Sequence, residues 1–166
     1  MLKCRDIFQE ELHLMPPGIE ARLQQLSITL PPPPAPGGIY IPARTVGNIV
    51  FLSGVVSTDA SGIVTGMLGL DRTVEEGHAA ARACALTQLA VLRRHLGSLD
   101  AVQSIISVNG YVNAVAGFKD SPEVINGASS LFVEIFGDAG RHVRAAIGVS
   151  ALPRNALVEL QMSVEI

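Results

Sequence analysis

The stretch "RHVRAAIGVSALPRNALVELQ", residues 141–161, decides how the fold is read. Two apolar segments flank "LPRN" like the arms of a hairpin, yet one opens on Arg144 and the other carries Glu159 among Val, Leu and Met. Successive strand residues point to opposite faces, so Val158, Leu160, Met162, Val164 and Ile166 form one set, expected to pack under helices. Leu157, Glu159, Gln161, Ser163 and Glu165 form the other and point away. A two-residue turn at Pro153-Arg154 would set Gly148 opposite Glu159 and Ala146 opposite Gln161. Arg144 would then share the face of Glu159.

Upstream, the helices are well punctuated. Thr73 and Glu76 make a capping box in "TVEE", and Gly97 ends the helix. Between them Ala81, Cys84, Ala85, Leu89 and Leu92 fall on one stripe. A second helix is expected with Ser121 as cap, Pro122 at its first position and Gly137 beyond its end. "VQSIISVNGYVNAV" reads as a strand between the two. "IYIPA" and "NIVFLSGVV" read as paired strands joined at Gly47-Asn48, and "STDASGIVTGMLG" as a glycine-rich loop. That loop lacks the Lys-Ser/Thr of a phosphate loop.

The order is β-β-α-β-α-β-β, which predicts a two-layer α+β fold with both helices on one face of a mixed sheet. Residues 1–35 read as an N-terminal extension and 36–166 as the domain proper. In the extension, Ile19, Leu23 and Leu26 mark a short helix, and "PPPPAPGG", residues 31–38, is a stiff linker of polyproline type. Residues 1–15 read either as an amphipathic turn or as excess before a start at Met15, and the residues leave both open. Val50, Leu52, Ile105 and Tyr111 do not all fit under two helices, so the opposite sheet face is expected to be apolar too. Self-association would cover it and form clefts around its remaining polar groups.

Composition narrows the function. With 48% apolar and 16% charged residues, a folded, soluble domain is expected. A net charge of −3 without any Lys/Arg run provides no footprint for nucleic acid or an anionic membrane. No stretch approaches the ~20 apolar residues of a transmembrane helix. Cys4 and Cys84 make no disulfide framework, which suits a reducing cytoplasm. His13, His78 and His95 have no metal-ligand spacing, so no metal is expected. His142, beside Arg144, reads as a solvated loop residue in preference to a contributor to a pocket rim.

"RAAIGVSALPRNALVELQMSVEI" resembles the C-terminal signature of the RidA family, also called YjgF or L-PSP endoribonuclease-like proteins. Arg144, Leu152-Pro153 and Glu159 fall at that signature's spacings. "VFLSG" ending at Gly54, Tyr40 in "GGIYIPA" and Asn126 in "VINGASSLF" also match. The similarity runs in order from about residue 36 to the end and looks closest to a branch with an extended N-terminus. It implies a chorismate-mutase-like fold, a homotrimer with a β-lined centre, and three clefts between subunits.

In deaminating members, the resemblance implies, a reactive enamine or imine of the 2-aminoacrylate type is hydrolysed to a 2-keto acid and ammonia without metal or cofactor. Arg144 would hold the substrate carboxylate, a task suited to the guanidinium fork. Glu159 would position or deprotonate water. Tyr40, Gly54, Asn126 and Ala146 would line the pocket. Ala146 stands where those members usually carry Cys, Ile41 stands where they carry Ser, and the spacing before Asn126 is longer. Set against this are plainer readings: Arg144 as a strand-end cation tied to Glu165 or Asp138, Glu159 as a solvent-facing or interface residue, Tyr40 as packing, and Asn126 as a loop-ordering amide. The competing functions are a non-catalytic binder of small 2-oxo acids and, least favoured by the acidic charge, an endoribonuclease.

Overall fold

The structure is a computed structural model that describes residues 18–166; the two readings of residues 1–15, and Cys4, lie outside the described residues. Helix α1 (Ile19–Gln25) buries Leu23, and the extended segment after it buries Leu30. The Glu20 carboxylate fastens α1 by accepting from the Leu99 N–H at 3.0 Å and from Arg93 at 3.4 Å. The proline-rich segment that follows joins no sheet.

Strands β1 (Ala43–Val46) and β2 (Ile49–Leu52) pair with Val46 opposite Ile49, leaving Gly47 and Asn48 as the turn. Gly47 has φ 61°, a conformation that a Cβ would strain. β1 begins later than the sequence predicts: Ile39, Tyr40 and Ile41 are exposed and outside any strand. β3 (Val55–Val56) follows, and the glycine-rich loop folds into a small hairpin, β4 (Thr58–Asp59) and β5 (Gly62–Ile63).

The capping box of α2 (Val74–Leu96) is formed: the Thr73 hydroxyl accepts from the Glu76 N–H, and the Glu76 carboxylate accepts from the Thr73 N–H at 2.8 Å. The predicted stripe of Ala81, Cys84, Ala85, Leu89 and Leu92 is fully buried. Burial pushes the Cys84 thiol pKa well up, and the Glu159 charge adds to this, so the side chain behaves as a small core hydrophobe. After β6 (Ser104–Asn113), helix α3 (Ser121–Phe136) starts one residue earlier than expected, with Asp120 in the cap position. The two helices approach closely because Gly127 of α3 lies against the His78 carbonyl of α2.

The sheet order is β1-β2-β8-β6-β7, with β3 also on β8. This corrects the expected C-terminal hairpin. β7 (Val143–Val149) runs parallel to β6, whereas β8 (Val158–Glu165) runs antiparallel on the other edge of β6. The connection through "LPRN" is not a two-residue turn: Pro153–Asn155 form a 3-10 turn in which Arg154 and Asn155 both take φ 57°. Helix α3 explains the choice, because a strand–helix–strand crossover returns its second strand parallel to the first.

Alternation in β8 is as read, with Val158, Leu160, Met162 and Val164 buried under the helices. Two members of the other set are exceptions: Leu157 is fully buried just before the strand starts, and Ser163 is buried where its hydroxyl meets that of Ser107 at 2.7 Å. Val50, Leu52 and Ile105 all fit under the helices after all. A register shift between Ile105 and Ser107 lets Ile105 and Val108 share the buried face. The open face instead carries Phe51, Tyr111, Val143 and Ile147. Among the described residues no helix is long and apolar enough to cross a membrane.

The helix contact yields a stability test. Gly127→Ala drives a Cβ into the His78 backbone, which cannot give way as a side-chain end would. The expected cost is about 1–3 kcal/mol in urea unfolding; an unchanged midpoint would show that the α2–α3 approach is not fixed there.

Candidate functional site

Arg144 projects from β7 onto α3. Its Nη1 donates to Asn126 Oδ1 at 2.8 Å and to Ser129 Oγ at 3.0 Å, and its Nη2 donates to the Pro122 carbonyl at 3.3 Å. All three acceptors are neutral. The carboxylates considered as plain partners are engaged elsewhere: Asp138 with Arg141, and Glu165 with Asn48 and Ser104. None of the ion pairs among the described residues involves Arg144. The guanidinium is thus oriented without an ionic partner, and two of its five N–H groups have no acceptor among the described residues. Asn126 is itself held by donating from Nδ2 to Glu123 Oε2 at 3.0 Å.

Glu159 sits in a different environment. Its side chain lies over Gly54, where Oε1 occupies the space a Cβ would need. Gly54 falls in the break between β2 and β3. That break is propped from below by buried Gln88, whose Nε2 donates to the Ser53 and Leu160 carbonyls at 2.9 and 2.6 Å. Burial alone raises the Glu159 pKa above its usual 4.5, with no hydrogen bond or cation acting against it. Such a carboxylate is a stronger base than a solvated one.

The expected shared face is overturned by the strand register. Arg144 is level with Val108 on β6, and Glu159 is level with Tyr111, three positions on. An odd separation along one strand means opposite faces. Arg144, Asn126 and Ala146 therefore gather on the helix side of the β7 edge, where Ala146 is level with Gly110 and packs against the core. Glu159, Gly54 and Tyr40 belong to the other side. Ala146 does not lie between the two charges. A single chain does not bring them to one ligand.

The open side carries two adjoining hollows. One, about 370 Å³, is lined by Gly54, Tyr111, Leu152, Glu159 and Gln161. The other, about 480 Å³, includes Tyr40, Ile41, Arg44, Phe51 and Ser53, and Gln161 separates the two. Tyr40 and Gly54 thus flank a common wall rather than share one pocket. The sequence reading did not assign Tyr111, Leu152 and Gln161 to the site, although Leu152 stood in the matching signature and Gln161 follows Glu159 by two residues on the same strand face. Leu152 is set by the turn after it, where Asn113 Nδ2 bonds both the Gly66 carbonyl and Asn155 Oδ1. Among the described residues no group of three or more His, Cys, Asp or Glu is arranged to hold a metal.

A two-layer α+β fold with this sheet order and this Arg and Glu placement defines a class, and comparison with known proteins specifies it. Residues 20–166 match the family model described as "YjgF/chorismate_mutase-like, putative endoribonuclease". Protein TCP17 of Trypanosoma cruzi is 41% identical over 150 residues, covering 89% of this chain and 94% of that protein. A crystal structure from Agrobacterium tumefaciens, of a protein described as of unknown function, is 40% identical with a TM-score of 0.82, covering 89% of this chain and 92% of the other. One from Shewanella oneidensis, described as a "putative endoribonuclease", is 34% identical with a TM-score of 0.85, covering 90% and 100%. The chain belongs to the YjgF/L-PSP (RidA) family and has its chorismate-mutase-like fold.

The contact of Gly54 with Glu159 is testable by a double-mutant cycle. Gly54→Ala is expected to lower the melting temperature in the native background and to be close to neutral in a Glu159→Ala background. Equal losses in both would show that the glycine is required by something other than the carboxylate.

Proposed function

We propose that the protein hydrolyses small carboxylate-bearing imines, tautomers of 2-aminoacrylate-type enamines, in clefts shared between neighbouring copies of the chain. Family membership supports the general deaminase role. The observation that carries the shared cleft is the placement of Arg144 and Glu159 on opposite faces of one sheet. The half-exposed Phe51 and Ile147 on the open face supply apolar surface for a neighbour to cover, and a homotrimer is the closed assembly expected of the family.

In the cleft, the Arg144 of one copy binds the substrate carboxylate, helped by the exclusion of water. Glu159 of the next takes a proton from water as its oxygen attacks the imine carbon. The imine nitrogen takes a proton from solvent as the C–O bond forms; Glu159 then returns its proton to the carbinolamine nitrogen, the C–N bond breaks and the hydroxyl releases its proton to solvent, giving the 2-keto acid and ammonia with one water consumed. No metal or cofactor enters this scheme. Gly54 and Asn126 bound the pocket, with Tyr40 at its rim. Ala146, where deaminating relatives usually carry Cys, favours a second reading: a binder of 2-oxo acids without turnover.

Generating 2-iminobutanoate in place with a threonine dehydratase separates the two. The protein should accelerate 2-oxobutyrate release, and Arg144→Ala and Glu159→Gln should each lose that acceleration. Co-refolding the two inactive variants in equal amounts should restore about a quarter of the wild-type sites, because a symmetric assembly draws its two groups from different chains. No recovery in a mixed assembly would sink the shared cleft. Saturable, Arg144-dependent binding without acceleration would leave the binder.

The pH dependence has a defined sign. A general base must be ionised, so kcat/KM falls as pH drops through the Glu159 pKa. Burial raises that pKa, so the acid limb should lie above pH 4.5 and vanish in Glu159→Gln. A limb at or below the ordinary carboxylate value would remove Glu159 from the role.

A further inference from the structure

His142 lies two residues before Arg144, just ahead of β7, and both side chains reach Ser129 on α3. His142 is half-buried, with its ring edge-on to Phe132 at 5.8 Å between centroids. Its Nδ1 lies 2.7 Å from the Gly140 carbonyl and its Nε2 lies 3.1 Å from Ser129 Oγ. A carbonyl only accepts, so Nδ1 carries the hydrogen. In the neutral ring Nε2 is then an acceptor and the Ser129 hydroxyl donates to it. That leaves the Ser129 lone pairs directed to the one remaining donor, Arg144 Nη1 at 3.0 Å. Each bond in the series sets the direction of the next. Gly140 is positioned to start it because, lacking a side chain, it lies against the Phe132 backbone of α3.

The geometry points to His142 as a positioning residue: acting through the Ser129 hydroxyl, it fixes the guanidinium plane of Arg144 for a carboxylate ligand. The inference rests on the anion-binding reading of Arg144 and extends it to the groups behind that residue. The design reason is electrostatic. An ionised acceptor would hold Arg144 more strongly but would compete with the ligand's own carboxylate. Of the acidic residues around it, Asp138 is paired with Arg141 and Glu134 with Arg82, and Glu123 reaches Arg144 only through the neutral Asn126 amide. A neutral imidazole behind a hydroxyl orients the cation and leaves its charge for the ligand. Burial lowers the His142 pKa, and the Arg144 charge acts the same way against the Gly140 bond, so the ring stays neutral at physiological pH.

Calorimetric titration of the full chain with 2-oxobutyrate, alongside thermal melts, tests this. Arg144→Ala should abolish binding. His142→Ala and Ser129→Ala should each weaken it roughly tenfold, and the double variant should be no worse than either, as for links of one series. His142→Gln, which places an amide oxygen near the lost Nε2, should recover most of the affinity. Because His142→Ala also removes packing on Phe132, His142→Gln and Ser129→Ala carry the test if it melts early. Wild-type affinity in the His142 and Ser129 variants, with Arg144→Ala inactive, overturns the positioning role and leaves the anion site standing. Additive losses in the double variant also overturn it. Unchanged binding in Arg144→Ala overturns both readings.

Discussion

Strand β6 carries one neighbour on each edge, and the parity of its residues governs everything the site can do. β7 is hydrogen-bonded on one side and β8 on the other, so the faces of both are set by the alternation within β6. Val108 points to the helices and Tyr111 away from them, and they carry Arg144 and Glu159 to opposite sides of one sheet. A one-residue slip of β8 would reverse this, and it would also bring Val158, Leu160 and Met162 out of the core. The burial of those side chains therefore protects the position of Glu159. The separation of Glu159 from Arg144 is in that sense a consequence of core packing.

The two charged groups are prepared in opposite ways. Arg144 is surrounded by neutral acceptors on α3, which restrict its orientation while leaving its charge available. Glu159 is half-buried over a glycine and has no donor to stabilise its ionised form, which makes it more basic. Either arrangement is costly on its own surface: an uncompensated cation on one, a desolvated carboxylate on the other. A ligand bearing a carboxylate at one end and a hydrolysable carbon at the other would satisfy both, provided a second copy of the chain brings the surfaces together. Phe51 and Ile147 leave apolar surface exposed on the open face.

Much of this was legible in the residues. The capping box at Thr73 and Glu76, the buried stripe from Ala81 to Leu92 and the alternation of β8 are local patterns, and each formed as read. Arg144 and Glu159 stood out because charges are conspicuous in apolar strands. The pairing of the last two strands was not legible, although that of β1 with β2 was, since "AAIGVSA" and "ALVELQ" separated by "LPRN" satisfy the local signs of a hairpin. The left-handed Arg154 and Asn155 and the crossover through α3 overruled those signs. His142 does lie in the loop before β7 but is half-buried rather than solvated, because its partners, Ser129 and Phe132, lie on a helix ten or more positions earlier. Its tautomer depends on a Gly140 carbonyl that only the turn after α3 brings into line.

Local chemistry by itself determined where the helices start and stop, which face of β8 is buried, and which two charged residues are out of place in an apolar strand. Those features depend on neighbours within a few positions, where side-chain periodicity and capping bonds act. Only the tertiary structure decided which edge of β6 receives β7, and hence that Arg144 and Glu159 face away from each other. That choice rests on the α3 crossover and on bonds between residues far apart in the chain. Tertiary contacts also turned Ser129 and His142 into the support of a cation, because hydrogen-bond direction is set only once donor and acceptor are fixed in space.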